Sequence, residues 1–460
     1  MTKNILYKSV PSPEKENLIP VPLTDETMLY RKQKVLNKMT QRNLDKLIVW
    51  CDVEHSFNFN YLTGFFTRFE EALLILDKSG DTVLILGNEN LNKASKSRIP
   101  CRAVHLSLFS LPDQPQRTDR TFVQLLCEAG LEKGLRTGVA GWKIFTSPVE
   151  NTEEMFDLPD FVMKALETTV GKENLVNRTD IFTGENGARC TNNANEIAHY
   201  EFGASLASDN VLSAMDALSE DISEMELATH LVKGGQHPNI VTIAAAGERF
   251  IKANMFPTDR KVKRGVPVAL TVGFAGGSSS RSGFAVKNAV QLPQGNEKWL
   301  ENMAIPYFRT CVQWLENIKP GMTGGELFSL VDTVLPRAEY GWSLCPGHLT
   351  AEEEWMCSPV YENSTEILHS GMIFQLDIIP SVKGLNGVSA ETTVVLADEK
   401  LKEEIRAQYP DMWARMEKRR QYITGVLGIN ISPDVLPLCS TAGYMRPFML
   451  DKEKALAAEK

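Results

Sequence analysis

The pattern of apolar residues changes once along this chain, and that change limits the fold more than any single motif does. Between residues 179 and 193 glycine and asparagine cluster (Gly184, Asn186, Gly187, Asn192, Asn193), a composition that interrupts regular structure. Before the break, short apolar runs alternate with helical spacing. Residues 47–50 read as a buried strand, and residues 72–76 and 82–86, joined by Ser79-Gly80-Asp81, read as a hairpin. Helical spacing covers residues 24–41 and 121–129, and a further strand is expected at 138–140. Strands interleaved with helices indicate an α/β domain. After the break, a long amphipathic helix is expected over 196–218 and a second over 223–233, where Ser223 and Glu226 have capping-box spacing. Strands are expected at 240–245, 266–274, 283–290, 372–378 and 392–396, and helices at 296–318 and 325–335. That order is α+β. The sequence thus divides into an extended, proline-bearing arm (1–24), an α/β domain (25–185) and an α+β domain (186–460), with a charged, alanine-rich tail (452–460) expected to be a frayed helix.

Composition narrows the function classes. At 460 residues the chain has length for two or three domains of roughly 150 residues each. Lys plus Arg number 49 against 58 Asp plus Glu, a diffuse net charge of −9. Such a balance argues against nucleic-acid or anionic-membrane partners, which need clustered cations. No run approaches the roughly 18 apolar residues of a membrane span. The first 22 residues mix lysine, glutamate, serine and proline without an apolar core, which does not read as a secretory leader. The eight cysteines are scattered with no C-x-x-C pair, as expected of reduced thiols in a cytoplasmic protein.

The order of local motifs resembles the creatinase/prolidase family, which includes the Xaa-Pro aminopeptidases. In the first domain NYLTGF (60–65) precedes EALLIL (71–76). In the second, NNANEIAHY (192–200), FPTDRKVKRG (256–265), IKPGMTGGEL (318–327), CPGHL (345–349), SGMIFQLDIIP (370–380) and SAETTVVLADE (389–399) follow in family order. The resemblance implies a creatinase-type N-terminal α/β domain, an α+β pita-bread catalytic domain and a homodimer. It also implies two divalent ions held by two Asp, one His and two Glu, with two helper histidines.

This chain departs from that pattern. Thr271 stands where the first Asp belongs, and Ser279, Ser280 or Arg281 matches the second. His348 keeps the ligand histidine, Asp377 replaces a Glu, and Glu391 is retained. The helper histidines read as Asn254 and Trp355. A dinuclear site needs a bridging carboxylate, and neutral Thr and Ser do not supply one. No cofactor is therefore expected beyond a single weakly held divalent cation on His348, Asp377 and Glu391.

The resulting expectation is a hydrolase of a C–N bond in a small amide, amidino or dipeptide-like substrate. His348 would act as acid/base, Glu391 and Asp377 would orient substrate and proton, and Arg281, Asn254 and Trp355 would contact substrate. Arg281 has a second reading, as filler of the vacated metal position. His237 has two as well, a pocket residue or a loop histidine. Phe66 and Arg68 fall where relatives lend residues to a neighbouring subunit, and the run Glu352-Glu353-Glu354 reads as a solvated face. Two alternatives stand beside the hydrolase: an inactive pita-bread scaffold, and a conventional metal-dependent Xaa-Pro aminopeptidase.

Overall fold

The computed structural model describes residues 3–115, 120–249 and 251–459. The chain forms two compact units, one of Leu23–Cys190 and the other of Met1–Pro22 with Thr191–Lys460. Strands are numbered in chain order, and β1 (Ile5–Ser9) belongs to the second unit.

In the first unit, β2 (Lys46–Cys51), β3 (Ala72–Asp77), β4 (Thr82–Leu86), β5 (Arg102–His105), β6 (Thr137–Ala140) and β7 (Leu175–Asn177) form one sheet in the order β5-β4-β3-β2-β6-β7. The β2–β3 and β3–β4 pairs are antiparallel, and the others are parallel. Helices cover both faces, so its strands are apolar without alternation. Ile48, Trp50, Leu73 and Ile75 face one buried cluster, while Leu47, Val49, Leu74 and Leu76 face the other. Residues 60–65 close a helix, Phe57–Thr63, that ends on Gly64 at φ +78°, a left-handed conformation that favours glycine.

In the second unit, β8 (Ile243–Ala246), β9 (Pro267–Phe274), β10 (Gly277–Phe284), β11 (His348–Leu349), β12 (Ile373–Leu376) and β13 (Ser389–Leu396) run in the order β11-β12-β13-β10-β9-β8, with β14 (Val435–Pro437) beside β13. Every pairing is antiparallel. Helix Ala194–Ala217 begins at a capping box of Asn193 and Glu196 and packs on β9 and β10. A β-carbon at Gly203 would lie 1.8 Å from the Ala275 carbonyl oxygen, so only glycine allows the helix this close to the β9–β10 turn.

Two sequence expectations fail here. The alanine-rich tail is a strand, β15 (Lys454–Ala458), paired with β1 in the register Ile5↔Ala458 to Ser9↔Lys454. The arm's first stretch is therefore half of a two-stranded sheet. The strand expected at 283–290 lies earlier, at Gly277–Phe284, because its hydrogen-bond partners β9 and β13 fix the register. Among the described residues no helix is long and apolar enough to cross a membrane. All eight cysteines are free thiols.

Candidate active site

The side-chain alternation of β10 sorts the serine-rich turn into two faces. Ser280 sits opposite Thr271 on β9 and Glu391 on β13. Its hydroxyl lies 2.7 Å from that of Thr271. Ser278, two residues away on the same face, donates to Glu391 Oε1. Ser279 and Arg281 point to the other face, toward Thr441 and Tyr444. Of the three residues that could match the second metal-ligating Asp, Ser280 is therefore the one at the cleft.

Thr271, Ser280, Asp377 and Glu391 line a cleft of about 330 Å³. Beneath it, Gln375 Nε2 donates to Glu391 Oε1 at 2.9 Å, and Thr393 donates to Gln375 Oε1 at 2.5 Å. Glu391 Oε1 thus accepts two bonds from neutral groups. Burial pushes the Glu391 carboxyl well above its ordinary range; Asp377 and Glu354 add to the effect, while Ser278 and Arg281 oppose it. Burial likewise raises Asp377, to about 6, against the pull of His348.

His348 is fully enclosed, with 0% exposure, and does not line the cleft. Its Nε2 lies 3.0 Å from Glu354 Oε1. Its Nδ1 lies 3.3 Å from the Leu349 carbonyl oxygen. Burial alone would depress this imidazole, but the neighbouring Glu354 and Asp377 carboxyls raise it above its usual value. Trp355 stacks on the ring, with centroids 4.1 Å apart and planes 24° apart.

These positions revise several expectations. His348 is buried and does not line the cleft, whereas Asp377 and Glu391 do. Trp355 contacts His348 instead of the cleft. Arg281 is buried at 1% exposure, and its guanidinium donates to main-chain carbonyls: Tyr444 at 2.8 Å, Ser280 at 2.7 Å, Glu391 at 2.5 Å and Thr441 at 2.6 Å. It does not line the cleft, and among the described residues it pairs with no carboxylate side chain. Asn254 spends its amide on the main chain of Phe256, donating to the carbonyl and accepting from the N–H, both at 3.2 Å. His237 lies exposed, bonded to the Pro238 carbonyl. The acidic run is not a solvated face: Glu352 is buried and accepts from Tyr200 at 3.1 Å, and Glu354 pairs with His348. Glu354 read as surface because charge runs are common there, and Ser278 and Gln375 carried no signal in the sequence that set them apart.

One nitrogen or oxygen from each of His348, Asp377 and Glu391 falls within 4.8 Å of the others, a donor set that fits a single divalent cation. A dinuclear centre does not fit. Thr271 and Ser280, which line the same cleft, are neutral hydroxyls bonded to each other.

No protein-family model matches the chain. A Xaa-Pro dipeptidase from Pyrococcus furiosus is 26% identical over 212 residues, 44% of this chain and 59% of the relative, so the match spans less than two thirds of that relative's length. The Xaa-Pro dipeptidase from Bacillus anthracis superposes with a TM-score of 0.61 at 15% identity, covering 81% of this chain and 96% of that one. The prolidase from Pyrococcus horikoshii superposes with a TM-score of 0.60 at 18% identity, covering 80% and 95%. The fold is the pita-bread fold of the prolidases. Within it, Thr271 and Ser280 present neutral hydroxyls to the cleft beside Asp377 and Glu391.

Proposed function

We propose that this protein is a prolidase-like hydrolase that cleaves a C–N bond in a small amide, amidino or dipeptide-like substrate, without a dinuclear metal centre. The observation that carries the proposal is the pair of buried carboxyls, Asp377 and Glu391, opening together on one cleft. Two titratable groups whose environments set them apart can divide acid and base roles. Glu391 Oε1 accepts from Ser278 and Gln375, so the proton of the neutral acid resides on its other oxygen and points to a ligand acceptor. There it donates to the substrate carbonyl oxygen as negative charge develops. Asp377, ionised, takes a proton from the attacking water and returns it to the leaving nitrogen as the C–N bond breaks. His348 and Glu354 hold the charge around Asp377 from behind. A single cation on His348, Asp377 and Glu391 would polarise the carbonyl and acidify water. The proposal includes a homodimer and a small-molecule or short-peptide substrate.

The expected pH profile follows from the two carboxyls. kcat/KM on an amide or dipeptide panel should rise as Asp377 ionises through about pH 6, and fall at higher pH as Glu391 loses its proton. Glu391→Gln should remove the alkaline limb and lower turnover by about 10²-fold. A pH-flat, wild-type rate in Glu391→Gln would sink this assignment. If no member of the panel is turned over, the neutral Thr271–Ser280 floor favours the scaffold reading.

A further inference from the structure

Gln375 lies on β12, fully buried, opposite His348 on β11 and Thr393 on β13. Its amide oxygen accepts from the Thr393 hydroxyl at 2.5 Å. That contact turns the amide nitrogen the other way, where it donates to Glu391 Oε1 at 2.9 Å and to the Ser278 main-chain oxygen at 3.1 Å. The nitrogen also touches the Ser278 hydroxyl, which itself donates to Glu391 Oε1. A flipped amide would set oxygen against oxygen at Glu391, so Thr393 fixes which end of Gln375 meets the acid. Ser278 and Thr393 are buried as deeply as Gln375, at 1% and 0% exposure, which leaves bulk water no access to the network.

A carboxyl oxygen has two acceptor sites. Ser278 and Gln375 fill both on Oε1, whereas Oε2 takes no protein donor among the described residues, and Glu391 lines the cleft. A hard divalent cation sits about 2.0–2.6 Å from a carboxylate oxygen and commonly uses both oxygens of one group. The hydrogens already on Oε1 carry partial positive charge at that range, so they close two-oxygen binding at Glu391. We propose that Gln375, together with Ser278, is a positioning residue that holds Glu391 by hydrogen bonds in place of a cation and leaves Oε2 to the cleft. The inference rests on the hydrolytic reading of the same cleft for the use made of Oε2. For a cation it leaves one oxygen of Glu391 beside one atom each of Asp377 and His348, the donor set that those three residues bring together.

Calorimetric titration of the chelator-dialysed full chain with Mn²⁺ tests it in wild type, Gln375→Met and Ser278→Ala. Met matches the length of Gln without its N–H groups, and Ala removes a single hydroxyl. Each variant should bind Mn²⁺ about tenfold more tightly than wild type. On an amide or dipeptide panel in chelator, each should lower kcat by about tenfold and leave KM unchanged. A residue that serves only the fold would weaken both properties together, so the opposite signs identify positioning. Should Gln375→Met not fold, Ser278→Ala carries the test alone. Unchanged or weaker Mn²⁺ binding in the folded variants would overturn the inference. Mn²⁺ binding needs no turnover, so the two readings fail separately. Tighter binding without cleavage of any substrate removes the hydrolase alone, and cleavage with unchanged Mn²⁺ affinity removes the role of Gln375 alone.

Discussion

Asp377→Asn is expected to lower turnover by about 10²–10⁴-fold, the usual contribution of a positioned acid/base group, and at the same time to stabilise the folded chain above pH 6. Both effects come from one carboxyl. Asp377 is buried at the floor of the cleft, and burial raises it to about 6 from an ordinary value of 3.8. The folded chain therefore holds a proton that the unfolded chain has released between about pH 4 and pH 6, and each step upward in pH through that window lowers stability. Above it the full penalty remains, on the order of 1–3 kcal/mol at about 1.4 kcal/mol per pH unit, after allowing for the lost attraction to His348. Asn is isosteric and carries no such penalty. Urea melts should show the variant more stable than wild type by that amount at pH 8 and equal to it at pH 4. A variant less stable at pH 8 would mean that the Asp377 carboxylate is held by a favourable partner, contrary to a carboxyl raised by burial.

Arg281→Ala is expected to destabilise the fold by about 3–5 kcal/mol while leaving substrate KM in the folded fraction unchanged. Arginine entering a ligand position of the resemblance suggests a substrate anchor, yet the side chain lies on the opposite face of β10 from the cleft. There it satisfies the carbonyls of Ser280, Glu391, Thr441 and Tyr444. Each buried carbonyl left without a donor costs about 1–3 kcal/mol, less where water enters. Lysine cannot reproduce the planar fork, so Arg281→Lys should recover only part of the loss. Denaturant unfolding beside steady-state kinetics checks both halves. A variant as stable as wild type but with KM raised tenfold would restore the substrate role.

The parts of the fold legible in the sequence are those set by local chemistry. The hairpin of β3 and β4 follows from two apolar runs around Ser79-Gly80-Asp81, and the helix starting after Ser223 follows from its capping box. Features set by distant partners stayed hidden. Residues 454–458 have helical composition but become a strand because β1, at the other end of the chain, supplies the pairing. The triple serine of β10 has no apolar alternation, and only its neighbours β9 and β13 place Ser280 in the cleft and Arg281 out of it. In the site, His348, Asp377 and Glu391 were legible as residues, and their grouping is what the structure shows. Their division of labour was not, because it depends on burial. His348 has no access to the cleft, and Glu354, one of three consecutive glutamates, is turned inward by a short segment ending in the ring of Trp355.

C–N hydrolysis at this carboxyl pair should proceed without a second metal ion. Metal content and turnover can be measured on one chelator-dialysed sample, with Asp377→Asn as the control. The expected result is turnover of an amide or dipeptide substrate at no more than one divalent ion per chain, lost in Asp377→Asn. Turnover that appears only when two ions per chain are restored would exclude this mechanism.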